Sequence, residues 1–236
     1  MKTLFIKSDS RIHKRNYWKN SYYAFVPYQT NFGELCGFAD DIVMAGQGFG
    51  MHRHENMEIS TIVVEGAQDH KDNSGSFGTI GINSVQTMSA GTGIMHSEFN
   101  SSKTKSFHSY QIWIYPKEIN IKPRYEQFTY KQEDKKDKIL LTLSPDRRNN
   151  SAFINQDAFF SVSRLSQETR IKYIMNKKGN GVYIHCVQGS IEIESFQLNE
   201  GDALGIYETD EIEIKSNLNS ELIFVEVPMN REVVVS

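Results

Sequence analysis

Two short pairs of residues, about forty positions apart, constrain this chain more than any other feature. His52 and His54 follow a glycine-rich turn and precede a run rich in β-branched residues. His96 and Glu98 lie in a second segment that also begins with glycines. Residues two apart in a β-strand project from the same face, so each pair presents its side chains together. Three imidazoles and one carboxylate form a donor set that suits one transition-metal ion.

Short apolar runs separated by turn signals predict an all-β chain. Residues 57–64, 85–89 and 107–115 are rich in β-branched or aromatic residues, and Asn73-Ser74-Gly75 is a strong turn signal. In residues 1–45, no apolar stripe with a 3.6-residue period runs long enough to predict an amphipathic helix. Strands at this spacing, with glycine turns between them, favour a sandwich or a barrel.

The second half of the sequence repeats the first half weakly. Residues 181–194 read as strand, Gln-Gly turn and strand, much as residues 57–72 do, and a further turn and strand follow. This repeat indicates two stacked β-barrels. The second copy lacks the histidine pair and keeps a lone His185, for which a structural role is expected. Only the N-terminal barrel is therefore predicted to bind metal.

A charged run at residues 131–138 is the best candidate for the start of a linker between the halves. It contains no apolar residue, so we expect a solvated loop. The predicted domains are residues 1–130, which would bind metal, and residues 131–236, a degenerate copy without a metal site.

Charge and cysteine content narrow the possible partners and the compartment. A net charge of −3 gives no basic field for direct nucleic-acid binding or for anionic lipid. The apolar run near Met1 is too short for an export signal, and no segment reaches membrane-spanning length. Cys36 and Cys186 are expected to be buried, reduced thiols. These features predict a cytoplasmic protein that contacts neither a membrane nor nucleic acid.

The two histidine-bearing segments resemble the two cupin motifs. Gly46, His52-x-His54 and Glu58 follow the first motif, and Gly93-x-x-His96-x-x-x-Asn100 follows the second. Longer blocks resemble the pirin family of bicupins, in particular the bacterial pirin-like proteins with quercetin 2,3-dioxygenase activity. These blocks are AGQGFGMHRHENMEI, MSAGTGIMHSEFN, YQIWIYP, PRYEQ and LSPD. The similarity is dense from about residue 37 to 146 and thinner from 181 to 228.

The resemblance implies a bicupin with one metal ion in the N-terminal barrel. Carried over by position, the ligands are His52, His54, His96 and Glu98. The metal is expected to be Fe(II), with Ni, Cu, Zn, Mn and Co as alternatives. Glu58 occupies the position of the metal-binding glutamate in many other cupins, and a supporting role beside the ligands stays open for it.

The resemblance also implies a dioxygenase that cleaves a flavonol-like, quercetin-type substrate with O2. The substrate would chelate the metal, and Glu98 would accept its hydroxyl proton, acting as ligand and general base. A monomer is the simplest expectation. The alternative is a non-catalytic, redox-responsive metal-binding protein that regulates a protein partner. The candidates for the pocket wall, each with core as the default reading, are Phe25, Phe49, Met57, Met88, Phe99 and Trp113.

A few positions depart from the family pattern or carry weaker expectations. Where bacterial pirin-like proteins commonly have a histidine in an aromatic-His-Thr-Phe-Ser-Phe block, this chain has Tyr23. His70 and His108 are expected to be surface or core residues, with a hydrogen bond to a ligand's free ring nitrogen as the alternative. Arg124 is expected to be structural, and His13 is given no role.

Overall fold

Two β-sandwiches, each built from a seven-stranded and a four-stranded sheet, make up this computed structural model, which describes residues 1–235. The strands up to residue 129 are β1 Lys2–Ile6, β2 Ile12–Arg15, β3 Lys19–Phe25, β4 Leu35–Val43, β5 Gly48–His54, β6 Glu58–Glu65, β7 Ala67–Asp72, β8 Phe77–Gly81, β9 Ser84–Ser89, β10 Ile94–Asn100, β11 Phe107–Ile114 and β12 Arg124–Thr129. The later strands are β13 Leu140–Ser144, β14 Ala152–Phe153, β15 Phe159–Leu165, β16 Arg170–Ile174, β17 Asn180–Gln188, β18 Ser190–Ile193, β19 Phe196–Asn199, β20 Ala203–Tyr207, β21 Glu211–Ser216 and β22 Ser220–Pro228.

Within the part of the chain that the structure describes, the helical content is limited to three short 3₁₀ turns, so the all-β prediction is confirmed. These turns are Ser8–Ser10, Gln132–Lys135 and Arg148–Asn150. Within residues 1–235, no helix has the length and apolar character needed to cross a membrane.

The N-terminal sandwich places the sheet β12-β9-β6-β11-β4-β3-β2 together with the sheet β5-β10-β7-β8. The chain passes from the larger sheet to the smaller one at Gly66, between β6 and β7. Gly66 has a φ of +74°, and a Cβ there would lie 2.8 Å from the Cβ of Phe107, so only glycine fits this corner. Strands β5 and β10 lie side by side in the smaller sheet.

The C-terminal sandwich combines the sheet β1-β20-β17-β22-β15-β13-β14 with the sheet β16-β21-β18-β19. Its first strand comes from the other end of the chain, because β1 pairs antiparallel with β20. The predicted boundary between residues 130 and 131 stays a prediction, and the pairing of β1 shows that the units are not strictly sequential. The interior is filled by an apolar cluster that includes Leu165, Tyr173, Val182, Ile184, Ile191, Ile214 and Phe224.

A continuous apolar core joins the two sandwiches. It contains Phe25, Phe38 and Tyr110 from the first unit and Tyr183 and Val225 from the second, all buried. His185 on β17 lies in the same layer, with its ring 5.0 Å from Phe38 and 4.9 Å from Tyr110. Burial of this layer removes a large apolar area from water and fixes the two units against each other.

The charged run at residues 131–138 is more ordered than expected. It forms the 3₁₀ turn Gln132–Lys135, and the Lys135 side chain is only 8% exposed. The ammonium of Lys135 lies 3.0 Å from a Glu221 carboxylate oxygen and above the ring of Tyr130. The prediction of a solvated loop is therefore wrong at Lys135, because the aliphatic stem of a lysine packs well against apolar surface when its charge finds a partner.

Candidate metal centre

Strands β5 and β10 carry the two predicted pairs and lie next to each other. In the antiparallel register His52 faces His96 and His54 faces Ile94. The side chains of β10 alternate between buried and exposed positions, which puts His96 and Glu98 on the interior face, as the two-residue spacing predicts. A bulge between His96 and Glu98 shifts the register, so Glu98 faces Phe49.

Three imidazoles meet at this face. The rings of His52 and His96 are 4.4 Å apart, those of His52 and His54 4.8 Å, and those of His54 and His96 4.9 Å. One ring nitrogen of each lies within 4.8 Å of the others. His52 Nδ1 donates to the Gly50 carbonyl at 2.8 Å, which leaves His52 Nε2 with a free lone pair. This hydrogen bond fixes the tautomer that a metal ligand requires.

The carboxylate of Glu98 joins a second, overlapping group with His96 and His70, whose ligand atoms also lie within 4.8 Å of one another. Both of its oxygens accept hydrogen bonds, Oε1 from Gln68 at 2.8 Å and Oε2 from Gln111 at 2.9 Å. Neither glutamine is among the site residues predicted from the sequence. Alternation along β11 carried a signal for Gln111, because this residue occupies the face opposite to Tyr110 and Ile112.

His70 and His108 have different surroundings. His70 is fully buried on β7, with its ring 5.2 Å from His96, and its nitrogens lie 3.3 Å from Asp72 Oδ2 and 3.3 Å from Gln86 Nε2. It is therefore a core residue in contact with the histidine cluster. His108 belongs to neither group of potential ligands. Its Nε2 instead lies 2.6 Å from Asp40 Oδ1.

Burial favours the neutral form of His96 and His54. It lowers the pKa of His96 to about 2 and that of His54 to about 4, and neighbouring imidazoles add to both shifts. Burial also raises the pKa of Glu98 to about 7, against the opposing effect of the hydrogen bonds from Gln111 and Gln68. Both ring nitrogens of His96 are buried, and among the described residues neither has a hydrogen-bond partner. A buried imidazole without a partner is costly, and a metal cation would satisfy it, so the donor set fits a transition metal.

Glu58 lies apart from both groups of potential ligands. It is buried, and its Oε2 accepts hydrogen bonds from Ser89 Oγ at 2.8 Å and from the Asn155 backbone N–H at 3.0 Å. Burial raises the pKa of Glu58 to about 7. Because Asn155 belongs to the second half of the chain, this carboxyl group links the two halves. Arg124 is also structural, since it pairs with Glu126 at 3.0 Å.

A cavity of about 290 Å³ opens beside the histidines. Of the six candidates for its wall, Phe25, Phe49 and Trp113 line it. Met57 and Met88 instead form a small core cluster, and Phe99 is 41% exposed. The remaining lining residues are Lys19, Tyr23, Pro27, Gly37, Phe38, Ala39, Asp41, His52, His54, Glu98 and Gln111.

Fold and site together define a two-domain cupin with a histidine-rich candidate metal site in its N-terminal barrel. Residues 7–114 match the Pirin family, and residues 141–227 match the quercetinase C-terminal cupin domain. A quercetin 2,3-dioxygenase of Escherichia coli (strain K12) is 36% identical over 229 residues, which is 94% of this chain and 97% of the relative. The chain belongs to the pirin family of bicupins.

Solved structures agree with this assignment. The crystal structure of YhhW from Escherichia coli superposes with a TM-score of 0.91 at 34% identity, covering 98% of this chain and 100% of that one. The same bacterial pirin in complex with nickel(II) gives a TM-score of 0.89 at 35% identity, covering 96% and 99%. The bicupin architecture expected from the sequence is thereby confirmed.

Proposed function

We propose that this protein is a metal-dependent dioxygenase that opens a flavonol-like aromatic ring with O2. The observation that carries the proposal is the cluster of three imidazoles, one buried and two half-buried, with a carboxylate beside it, at the edge of an aromatic cavity. The name of the Escherichia coli relative, quercetin 2,3-dioxygenase, supports the substrate class. A closed structural site would have no need of such a cavity.

Four residues are proposed to hold the metal: His52, His54, His96 and Glu98. A bound divalent transition metal supplies Lewis acidity and redox access to dioxygen. We propose Fe(II), with nickel as the first alternative because a bacterial pirin was solved with nickel(II).

Glu98 is proposed to act both as a ligand and as the acceptor of the substrate's hydroxyl proton. Hydrogen bonds from Gln68 and Gln111 fix the carboxylate in one orientation. Gln111 is fixed in turn by Trp113, whose Nε1 donates to its side-chain oxygen at 3.0 Å. Trp113 also packs edge-on against His54, with ring centroids 4.9 Å apart. One indole therefore orients a ligand directly and the carboxylate through Gln111.

The cavity is suited to one planar aromatic molecule. Its volume of about 290 Å³ is at the small end for ligand sites, and Phe25, Phe38, Phe49 and Trp113 contribute aromatic walls. Ala39 and Gly37 leave space between these rings because Ala39 has a small side chain and Gly37 has none. At Gly37 a Cβ would lie 2.8 Å from the Cβ of Trp113. A planar substrate that fills this space would exclude water from the Glu98 carboxylate.

The test is oxygen uptake with quercetin by protein whose metal content has been measured. The parent, Glu98→Ala and a matched control, Glu58→Gln, are loaded with iron and assayed together. We expect uptake by the parent and by Glu58→Gln, and loss of uptake with reduced metal content in Glu98→Ala. No uptake by a parent that carries one metal per chain would reject the flavonol activity and favour the regulatory alternative.

We further propose a monomer in the cytoplasm. Cys36 and Cys186 are both buried and free, which suits a reducing compartment. Size-exclusion chromatography with light scattering would test the monomer, and fractionation of cells that express the protein at native level would test the compartment.

A further inference from the structure

A lysine lies in the wall of the aromatic cavity. Lys19 begins β3, and its side chain is only 15% exposed. Its ammonium lies 4.8 Å from the centre of the Phe49 ring, one of the cavity walls. A buried cation in an aromatic wall is unusual, because burial of a charge is costly unless polar partners surround it.

The partners of Lys19 leave donors free for a ligand. Its Nζ donates to the Tyr23 hydroxyl at 3.0 Å and lies 3.7 Å from Asp41 Oδ1, beyond a good hydrogen bond. The Tyr23 hydroxyl accepts from Lys19, and its own O–H has no acceptor among the described residues. The pair therefore offers the cavity one O–H and at least one N–H.

Strand register separates this pair from the metal centre by a defined span. Tyr23 and Gln111 both face Ala39, one from each neighbouring strand. Two strand spacings put their Cα atoms about 10 Å apart on one face of the sheet. In the row Tyr23, Ala39 and Gln111, Gln111 donates a hydrogen bond to Glu98 at one end. At the other end, Tyr23 accepts a hydrogen bond from Lys19. The small side chain of Ala39 leaves the space between them open.

The charges near Lys19 and Tyr23 indicate what kind of substrate group can bind at this end of the cavity. Asp41 also lines the cavity, and its carboxylate, which accepts a hydrogen bond from Ser21, offsets much of the charge of Lys19. A second full negative charge would be repelled by Asp41. A phenolic hydroxyl meets no such repulsion, because its oxygen can accept from both Tyr23 and Lys19.

We propose that Lys19 and Tyr23 form a specificity subsite that binds a phenolic hydroxyl of the substrate, on the ring farthest from the metal. The subsite rests on the proposed function, since the other end of the same molecule reaches Glu98. The substrate class is therefore a planar enol that carries a second hydroxyl on the ring farthest from its chelating oxygens.

The experiment compares two ligands that share the chelating hydroxyl and carbonyl and differ in their other hydroxyls. Quercetin carries hydroxyls on both outer rings, whereas 3-hydroxyflavone has the chelating pair alone. Dissociation constants are measured without oxygen, by fluorescence quenching of metal-loaded protein, so binding is read independently of turnover. The variants are Lys19→Met and Tyr23→Phe. Lys172→Met is the control, because Lys172 pairs with Glu211 in the other sandwich.

We expect the parent to bind quercetin more tightly than 3-hydroxyflavone. Lys19→Met and Tyr23→Phe should each weaken quercetin binding about tenfold and leave 3-hydroxyflavone unchanged, as for loss of one strong hydrogen bond. Lys172→Met should change neither. If Lys19→Met does not fold, Tyr23→Phe makes the same test, because it keeps the ammonium and its partner Asp41.

Three results would overturn the subsite: equal weakening of both ligands, no weakening of either, or a parent with no preference for quercetin. A parent that binds quercetin with the expected pattern but consumes no oxygen would reject the proposed activity and leave the subsite in place.

Discussion

Gln111 is the clearest place to test how the cavity floor influences the proposed metal centre. Its side chain donates to Glu98 Oε2 at 2.9 Å and accepts from Trp113 Nε1 at 3.0 Å. Leucine has a similar size and shape but neither polar group. Gln111→Leu therefore removes one of the two hydrogen bonds that orient the carboxylate, while the bond from Gln68 remains.

The expected magnitude follows from these contacts. A hydrogen bond to a charged acceptor contributes about 1.5–3 kcal/mol. Partners that orient metal ligands contribute about 10–100-fold in affinity, which is the same range in free energy. Trp113 is half-buried, so its freed N–H reaches water, and the unfolding free energy of the metal-free protein should change little. We therefore expect metal binding to weaken about 10–100-fold without unfolding.

The assay is competition with a chelator for nickel(II), alongside urea denaturation of the metal-free protein. Gln127→Leu serves as a matched control, because Gln127 is exposed and makes one long contact, at 3.4 Å, to a backbone carbonyl. A Gln111→Leu protein that is folded and binds nickel within twofold of the parent would refute the proposed link from Trp113 through Gln111 to Glu98.

Three further changes test the packing of the fold. His185 is buried with both nitrogens unpaired among the described residues, and burial lowers its pKa to about 3. The charged groups that act on it are Arg11, Asp40 and His108. Stability should therefore fall as pH drops from about 6.5 toward 3, and His185→Leu should reduce the loss between pH 7 and 4.5 by up to about 3 kcal/mol in urea melts. Glu226 is buried and accepts five hydrogen bonds, so Glu226→Ala should cost about 3–5 kcal/mol of unfolding free energy, and a loss below 1 kcal/mol would contradict this. A Cβ at Gly48 would lie 2.5 Å from the Cα of Phe99, whereas nothing lies within 4 Å of one at Gly50. Gly48→Ala should therefore lower the melting temperature by several degrees, and Gly50→Ala should not.

Local patterns predicted the elements of the site because strand periodicity is a local property. The spacing of His52, His54, His96 and Glu98 was enough to place each pair on an interior face, and the structure brings the three imidazoles within contact. Strand periodicity could not predict the contact of Gln68 with Glu98, because Gln68 lies on a different strand.

Two other features depended on tertiary contacts that no local pattern encodes. The burial of Lys135 requires Glu221, 86 positions later in the chain. The placement of β1 in the C-terminal sheet requires β20, which lies about 200 positions away. In both cases the partner lies far away in the sequence and reaches its place only when the C-terminal sandwich forms.

The two sandwiches are each built from a seven-stranded and a four-stranded sheet, and the filling of their interiors explains why, within residues 1–235, only the first contains a candidate metal site. In the N-terminal sandwich, the apolar cluster beside the histidines is small, and a cavity lined partly by polar groups opens next to them. In the C-terminal sandwich, Tyr173 and Phe224 stack with ring centroids 5.1 Å apart and help to fill the same kind of space. Its single histidine, His185, packs against Phe38 and Tyr110 of the first unit. A metal site in the second sandwich would therefore need both new ligands and the removal of large aromatic side chains.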